Sequence, residues 1–247
     1  MTTQIRALEE RSFNAHPSLN TQFYDGWVLR FANGFTNRAN SVNMLYPSVL
    51  DLETKIAECE RRYSAQQLSC VFKIIEGEHS EIDALLAQRG YEVATPTYLE
   101  ILDLNNTQFR TGNCINFDKP EQKWLDSYFE FEKYSEASCR NAKLVLNQIQ
   151  NKSIYCSLIE NDECVACASS VLENGYAIIG NVVVKDQCRG RGYGKLLCES
   201  LLSEIKKAGA HTAYLQVVQT NAPAVKLYAG LGFKQLYSYW YRVKKII

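Results

Sequence analysis

The sequence predicts an α/β chain of the α+β kind in two modules, 1–106 and 114–247, and three observations carry that expectation. Apolar residues switch repeatedly between a spacing of three and four, the mark of an amphipathic helix, and alternation, the mark of a half-buried strand. Asp25-Gly26, Asn33-Gly34 and Asn174-Gly175 stand beside strand patterns, where residues that tolerate positive φ reverse the chain. A polar stretch over 105–113, with neither periodicity, separates the halves.

The first module opens with a helix over 5–14, where Ile5 and Leu8 keep helical spacing and Pro17 limits the length. Residues 27–32 and 39–46 read as a strand hairpin, 50–63 as a helix, Cys70–Ile75 as a strand, 81–89 as a helix stopped by Gly90, and 98–104 as a strand. Ser80 with Asp83 three residues on predicts a capping box for the 81–89 helix. The second module begins with helices over 121–134 and 136–150, the first with Trp124, Tyr128 and Phe131 on one face. Strands over 153–159, 165–172 and Tyr176–Val184 follow, made antiparallel by Asn161-Asp162 and Asn174-Gly175. Gly180, inside the last of them, marks a bulge or a close approach of backbone to ligand. Leu197, Leu201 and Ile205 then trace a helix ended by Gly209, and Ala213, Leu215 and Val217 alternate along a strand. A helix capped at Thr220 or Asn221 runs to about Gly230, and 233–243 reads as strands.

Length and composition exclude several classes. At 247 residues and 46% apolar content the chain has material for two ordinary domains. Its 27 basic and 27 acidic residues balance without a run of like charge, which argues against nucleic acid or a membrane surface as the main partner. No apolar run approaches the ~18 residues of a membrane helix, and the start lacks a signal-peptide core, so a cytoplasmic protein is expected. Nine cysteines, scattered singly, predict reduced thiols. Cys164 and Cys167 form a C-x-x-C, but on a regular strand i and i+3 face opposite ways, so buried thiols are expected rather than a redox pair. His16, His79 and His211 share no ligand spacing with acids, and no metal is expected.

The most informative stretch is Val182-Val183-Val184, then Arg189-Gly190-Arg191-Gly192-Tyr193-Gly194-Lys195, then a helix. Glycines at alternate positions let the backbone turn tightly, and the free N–H groups of the following helix point back into the loop. Such a corner binds anions, and Arg189, Arg191 and Lys195 add charge suited to a pyrophosphate. The spacing is not that of a dinucleotide fold or a P-loop, and the preceding strand belongs to a hairpin rather than a β-α-β unit.

Arg189-x-x-Gly192-x-Gly194 and, about thirty residues on, Asn221-x-x-Ala224-x-x-Leu227-Tyr228-x-x-x-Gly232-Phe233 resemble the two cofactor motifs of the GNAT superfamily of N-acetyltransferases. The resemblance covers residues from about 115 to 247. Shifted by 142 residues, Leu85–Tyr91 also sets against Leu227–Phe233, which suggests an internal duplication. In the first copy the corner reads Leu45-Tyr46-Pro47-Ser48-Val49-Leu50, without glycine, and Leu86 stands opposite Tyr228. The expectation is a tandem GNAT chain: two GNAT-like domains, each a mixed, mostly antiparallel sheet flanked by helices, the first degenerate and without a cofactor loop.

The resemblance implies acetyl-CoA as cofactor and, as acceptor, the primary amine of a small molecule or peptide. The N–H groups of Arg189, Gly190, Arg191, Gly192, Tyr193, Gly194 and Lys195 would hold the pyrophosphate, and the main chain of Val182, Val183 and Val184 the pantetheine arm. Asn221, Ala224 and Tyr228 share a helix face. Ala224 would admit the cofactor and Tyr228 would protonate the leaving thiolate, against the plain reading of Tyr228 as a half-buried helix tyrosine. No acid occupies the strand Ile178-Ile179-Gly180-Asn181, so the general base stays open among Glu173, Glu132, Glu136 and a water chain. For the acceptor, Trp27, Arg30, Arg38, Asn40, Tyr239 and Tyr241 are candidates, with Arg38 and Asn40 equally suited to a braced hairpin loop. The competing classes are a non-catalytic acyl-CoA sensor or partner-binding module and a nucleotide-binding protein; a monomer or homodimer is expected.

Overall fold

A computed structural model describes residues 1–244. In chain order the elements are α1 (Thr3–Ala15), β1 (Asn20–Tyr24), β2 (Trp27–Phe31), β3 (Val42–Met44), α2 (Leu52–Ser64), β4 (Cys70–Ile75), α3 (Ser80–Gln88), β5 (Glu92–Asp103) and β6 (Cys114–Phe117). They continue with α4 (Gln122–Glu132), α5 (Glu136–Asn147), β7 (Ser153–Glu160), β8 (Glu163–Glu173), β9 (Tyr176–Val184), α6 (Tyr193–Lys207), β10 (Thr212–Val218), α7 (Ala222–Ala229) and β11 (Lys234–Lys244). The strands form one mixed sheet, ordered β1-β2-β3-β4-β11-β5-β10-β9-β8-β7-β6, in place of the two separate central sheets that the sequence predicts. The chain divides into two compact units, one of Met1–Tyr98, Val218–Thr220 and the residues from Tyr237, the other of Leu99–Val217 and Asn221–Leu236. That division crosses β5 between Tyr98 and Leu99.

In the first unit β1 and β2 close around Asp25-Gly26, with Tyr24 opposite Trp27. β1, Asn20-Thr21-Gln22-Phe23-Tyr24, is short and largely exposed, so it carries no apolar alternation for sequence reading to detect. The expected hairpin of β2 and β3 is present, Trp27 facing Met44. β3 then runs parallel to β4 through α2, and β11 pairs antiparallel with β4. Trp27, Leu29, Phe31, Ile56, Tyr63, Phe72 and Tyr91 are buried in the core these elements share. The capping box expected at Ser80 does not form. The Asp83 carboxylate instead takes Trp240 Nε1 at 2.9 Å and Arg242 Nε at 2.7 Å, a charge-assisted pairing that outcompetes a cap.

In the second unit β6, β7, β8 and β9 are successive antiparallel neighbours, and β9 is parallel to β10. Trp124 of α4 is fully buried, donating from Nε1 to the carbonyls of Cys156 and Ala168 at 3.3 and 3.2 Å and stacking on Tyr128. The register opposite Leu158 and Ile159 skips Val165, a bulge that shifts the parity of β8. Cys164 and Cys167 therefore both pack on the Trp124 cluster, against the opposite-face expectation, and both are free thiols.

The ends of α3 and α7 have the same backbone hydrogen bonds at the 142-residue offset. Arg89 N donates to Leu85 O, Gly90 N to Ala87 O and Tyr91 N to Leu86 O, while Leu231 N donates to Leu227 O, Gly232 N to Ala229 O and Phe233 N to Tyr228 O. Gly90 and Gly232 both take positive φ, +81° and +91°, which closes each helix in the way glycine favours.

Candidate active site

The site is built where β9 leaves its neighbour. The β9–β10 ladder runs from Tyr176 opposite Thr212 to Ile179 opposite Leu215 and stops there. On the other side, Ser169 faces Gly180 and Cys167 faces Val183, so β9 has one residue more than β8 in this interval. The bulge centres on Asn181, at φ +54°, one residue beyond the glycine that the sequence singles out. Asn181 is fixed there by Tyr128 Oη, which donates to its Oδ1 at 3.0 Å, and by its own Nδ2, which donates to Ser169 Oγ at 2.8 Å. Lys185 N donates to Val165 O. Because main-chain groups alternate along a strand, those of Val183 then face β8 and those of Val182 and Val184 face away from it, where the β10 ladder has ended.

A short 3₁₀ turn, Asp186–Cys188, carries the chain into the loop. Asp186 is paired with Lys133 at 2.6 Å and Arg189 at 2.8 Å. The Lys133 hydrogen bond, more than the Arg189 charge, lowers its carboxyl below the usual range. Gly190 and Gly192 have φ of +76° and +84°, where a side chain would strain the backbone. Gly192 is the N-cap of α6, and no side chain caps this helix. The first intrahelical bond is Leu196 N to Gly192 O, which leaves the N–H groups of Tyr193, Gly194 and Lys195 outside the helical ladder.

The second wall is α7. Asn221 Oδ1 accepts from Ala224 N at 3.3 Å, so its side chain caps the helix, and Pro223 sits in the first turn where its missing N–H costs nothing. Leu227 packs over Gly194, where a Cβ would stand 3.7 Å from its Cδ2. Tyr228 is 8% exposed, edge-on to Phe233 at 5.9 Å between ring centroids. Burial, then the charges of Cys198 and Glu100, raise its phenol well above the ordinary tyrosine value, so it is neutral at working pH.

These parts surround one cavity of about 700 Å³, lined by Val182, Val183, Val184, Arg189, Gly190, Gly192, Tyr193, Gly194, Lys195, Asn221, Ala224 and Tyr228, with Phe131, Glu132 and Lys133 from the end of α4. Arg191 is exposed and is not among its walls. Of the carboxylates considered for the base, Glu132 lines the cavity. Glu136 is 95% exposed, with Arg140 at 3.7 Å. Glu173 accepts from Asn151 at 2.9 Å and pairs with Tyr176, at the opposite end of β9 from Val184. Sequence reading passes over Glu100 of β5, which is buried, and whose Oε2 has no hydrogen-bond partner.

Of the acceptor candidates of the first module, Trp27, Arg30 and Asn40 are interior members of the first unit and Arg38 is half-buried. Trp27 is 3% exposed, under Lys55 Nζ at 4.0 Å from the ring. Arg30 lies over Phe13 and donates to the carbonyls of Arg38, His16 and Phe13. Asn40 accepts from Ala32 N and Gly34 N and donates to Phe35 O and Thr36 O, the bonding of a braced hairpin loop. Tyr239 is buried with Lys73 Nζ 3.9 Å from its ring, and Tyr241 packs edge-on to it. Burial raises both phenols, with the Arg38 charge acting against it.

The family described as "Probable histone acetyltransferase Rv0428c C-terminal" matches residues 2–242. A Bacillus subtilis protein, the uncharacterized N-acetyltransferase YobR, is 25% identical over 246 residues, covering 98% of this chain and 99% of its own. The [ribosomal protein bS18]-alanine N-acetyltransferase of Escherichia coli is 27% identical over 111 residues, 45% of this chain and 75% of that protein. Among solved structures, a GCN5-related N-acetyltransferase from Kribbella flavida superposes with a TM-score of 0.73 at 12% identity, covering 98% and 96% of the two chains. A tandem GNAT protein from the clavulanic acid biosynthesis pathway superposes at 0.63 with 13% identity, covering 88% and 77%.

Proposed function

The chain belongs to the Rv0428c C-terminal family of GNAT N-acetyltransferases, and from that premise we propose that it moves an acetyl group from acetyl-CoA to the primary amine of a small molecule or peptide. One observation carries this reading: the uncapped start of α6, the unladdered main chain of Val182 and Val184, and Tyr228 meet in a single cavity. The residues fit the cofactor. N–H groups outside the helical ladder and the cations Arg189 and Lys195 suit a diphosphate, and glycines at positive φ keep side chains out of its way. Val182 and Val184 present main-chain donors and acceptors to an amide-bearing arm.

Bound acetyl-CoA supplies the acetyl group as a thioester. The chain's own part is to hold the diphosphate at the loop, to align the arm along β9, and to keep a proton on Tyr228 Oη for the departing sulfur. The assignment of a catalytic module to 114–247 and a degenerate GNAT-like module to 1–106 belongs to this proposal. Its support is the glycine corner in one half and its lack in the other.

Calorimetric titration with acetyl-CoA, followed by thiol release over a panel of primary amines, tests the reading. Binding with turnover on at least one amine is expected. Binding without turnover on any amine assigns the chain to the acyl-CoA sensors, and tighter binding of ATP or NAD than of CoA rejects the cofactor.

A further inference from the structure

Asn181 is the one residue of β9 at positive φ, +54°, and it is not a glycine. Asparagine tolerates that conformation better than most side chains, yet glycine takes it at no steric cost, so the backbone alone does not call for an amide here. The amide is used at both ends. Oδ1 accepts from Tyr128 Oη at 3.0 Å and Nδ2 donates to Ser169 Oγ at 2.8 Å, which clasps the side chain between α4 and β8. Both partners are buried, and Tyr128 is itself held in place, stacked on Trp124 at 5.0 Å between ring centroids and with the Tyr134 hydroxyl 3.1 Å from its own. The same helix lines the cofactor cavity with Phe131, Glu132 and Lys133 and ties Lys133 to Asp186 at the entrance to the glycine loop.

The bulge decides which main-chain groups reach that cavity. With it, Cys167 faces Val183 and Ala166 faces Val184. A regular strand continued from the pair of Ser169 and Gly180 would set Cys167 opposite Val182 and Ala166 opposite Val183, and a shift of one residue turns every following residue over. The main chain of Val182 and Val184 would then bond to β8, and Val183 would leave the Trp124 core in which it is buried. We propose that Asn181 is a positioning residue of the cofactor site: its side chain, clasped by Tyr128 and Ser169, selects the bulged form of β9 and so turns the main chain of Val182 and Val184 toward the amide-bearing arm of the cofactor. This rests on the acetyltransferase reading and makes α4 the element that sets the track of the arm.

Full-chain variants separate the amide from the backbone. Asn181→Gly accepts the positive φ but has no side chain, and Tyr128→Phe removes one hydrogen bond of the clasp and keeps the ring. Calorimetric titration compares acetyl-CoA with adenosine 3′,5′-bisphosphate, which carries the nucleotide and phosphate end but no arm. Asn181→Gly is expected to bind acetyl-CoA ~10-fold more weakly, the scale of two hydrogen bonds of ordinary net strength, and the bisphosphate within about twofold of the parent. Tyr128→Phe should cost about threefold for acetyl-CoA and add little to Asn181→Gly in the double variant, because both remove the same clasp. Unchanged acetyl-CoA affinity in Asn181→Gly overturns the assignment. Equal losses for the two ligands overturn it as well, since they report a general loss of structure.

A second readout needs no cofactor. Amide hydrogen exchange on the free chain reports which N–H groups of β9 are laddered. In the parent the Val183 amide should exchange at least ~10-fold more slowly than those of Val182 and Val184, and in Asn181→Gly that contrast should shrink by about threefold or more. The same contrast in parent and variant overturns the clasp. If the parent chain binds no acetyl-CoA, the acetyltransferase reading fails, and the exchange pattern still decides whether the Asn181 side chain sets the bulge.

Discussion

Tyr228 and Glu100 show how one side chain's burial sets its chemistry. Tyr228 is held neutral because burial, and then the charges of Cys198 and Glu100, disfavour its phenolate, and the proposed role as proton donor requires that neutral form. Tyr228→Phe should lower kcat ~10²-fold, the usual scale for a lost proton donor, with acetyl-CoA affinity within about twofold by calorimetry. An unchanged kcat removes the phenol from the reaction. For Glu100 the folded chain holds the proton more tightly than the unfolded one, where the carboxyl titrates near ~4.3. Stability from this group is therefore fully present below that pH and is lost as pH rises through the folded value. Glu100→Gln lacks this loss, so its Tm should gain on the parent's from about pH 4 upward, as a thermal-melt series over pH would show; parallel curves contradict it. Nothing local in Thr97-Tyr98-Leu99-Glu100-Ile101-Leu102 announces this residue. In an alternating strand a lone glutamate reads as a solvent position, and here its burial comes from tertiary packing.

At the scale of elements, two strand-to-helix corners in the chain solve the same problem in opposite ways. Before α2, Asp51 Oδ1 accepts from Thr54 N at 2.9 Å, and the Asp25 carboxylate accepts from Val49 N at 3.0 Å and Leu50 N at 2.9 Å while pairing with Lys55. The chain's own carboxylates fill that corner, whereas before α6 no side chain does. The Leu50 hydrogen bond, with those from Val49 and Lys55, lowers Asp25 to about 2. Its contribution is present above the ordinary aspartate range, ~3.9, and lost as pH falls toward the folded value. Asp25→Asn should therefore lower Tm at neutral pH, with the gap to the parent closing as pH approaches about 2. A gap that persists in acid contradicts this role. The glycine corner was legible in the sequence because positive φ and an uncapped helix each leave a local mark at Gly190 and Gly192. The hairpin of β2 and β3 and the Asn221 cap were legible for the same reason. Asp25's reach across 24 residues to Val49, the short strands β1 and β6, and the bulge at Val165 were not, since each depends on partners far along the chain.

At the scale of the molecule, the ends of α3 and α7 share hydrogen bonds and a positive-φ glycine at the 142-residue offset, but α6 ends in the same way at Gly209, so this closure is a common helix end rather than a mark of duplication. Where the second unit has Tyr228 on a cavity wall, the first has Leu86, fully buried in its core. One half with an uncapped glycine corner and one with a corner closed by Asp25 and Asp51 lead to a stoichiometric claim: a single cofactor site per chain. Gly192→Asp sets a carboxylate beside the N–H groups of α6 and forces a side chain into positive φ, so it should abolish that site. The direct measurement is calorimetric titration of the full chain and of Gly192→Asp with acetyl-CoA. One molecule bound per parent chain and none to the variant is the expected result; two per chain, none to either, or equal binding to both would contradict it.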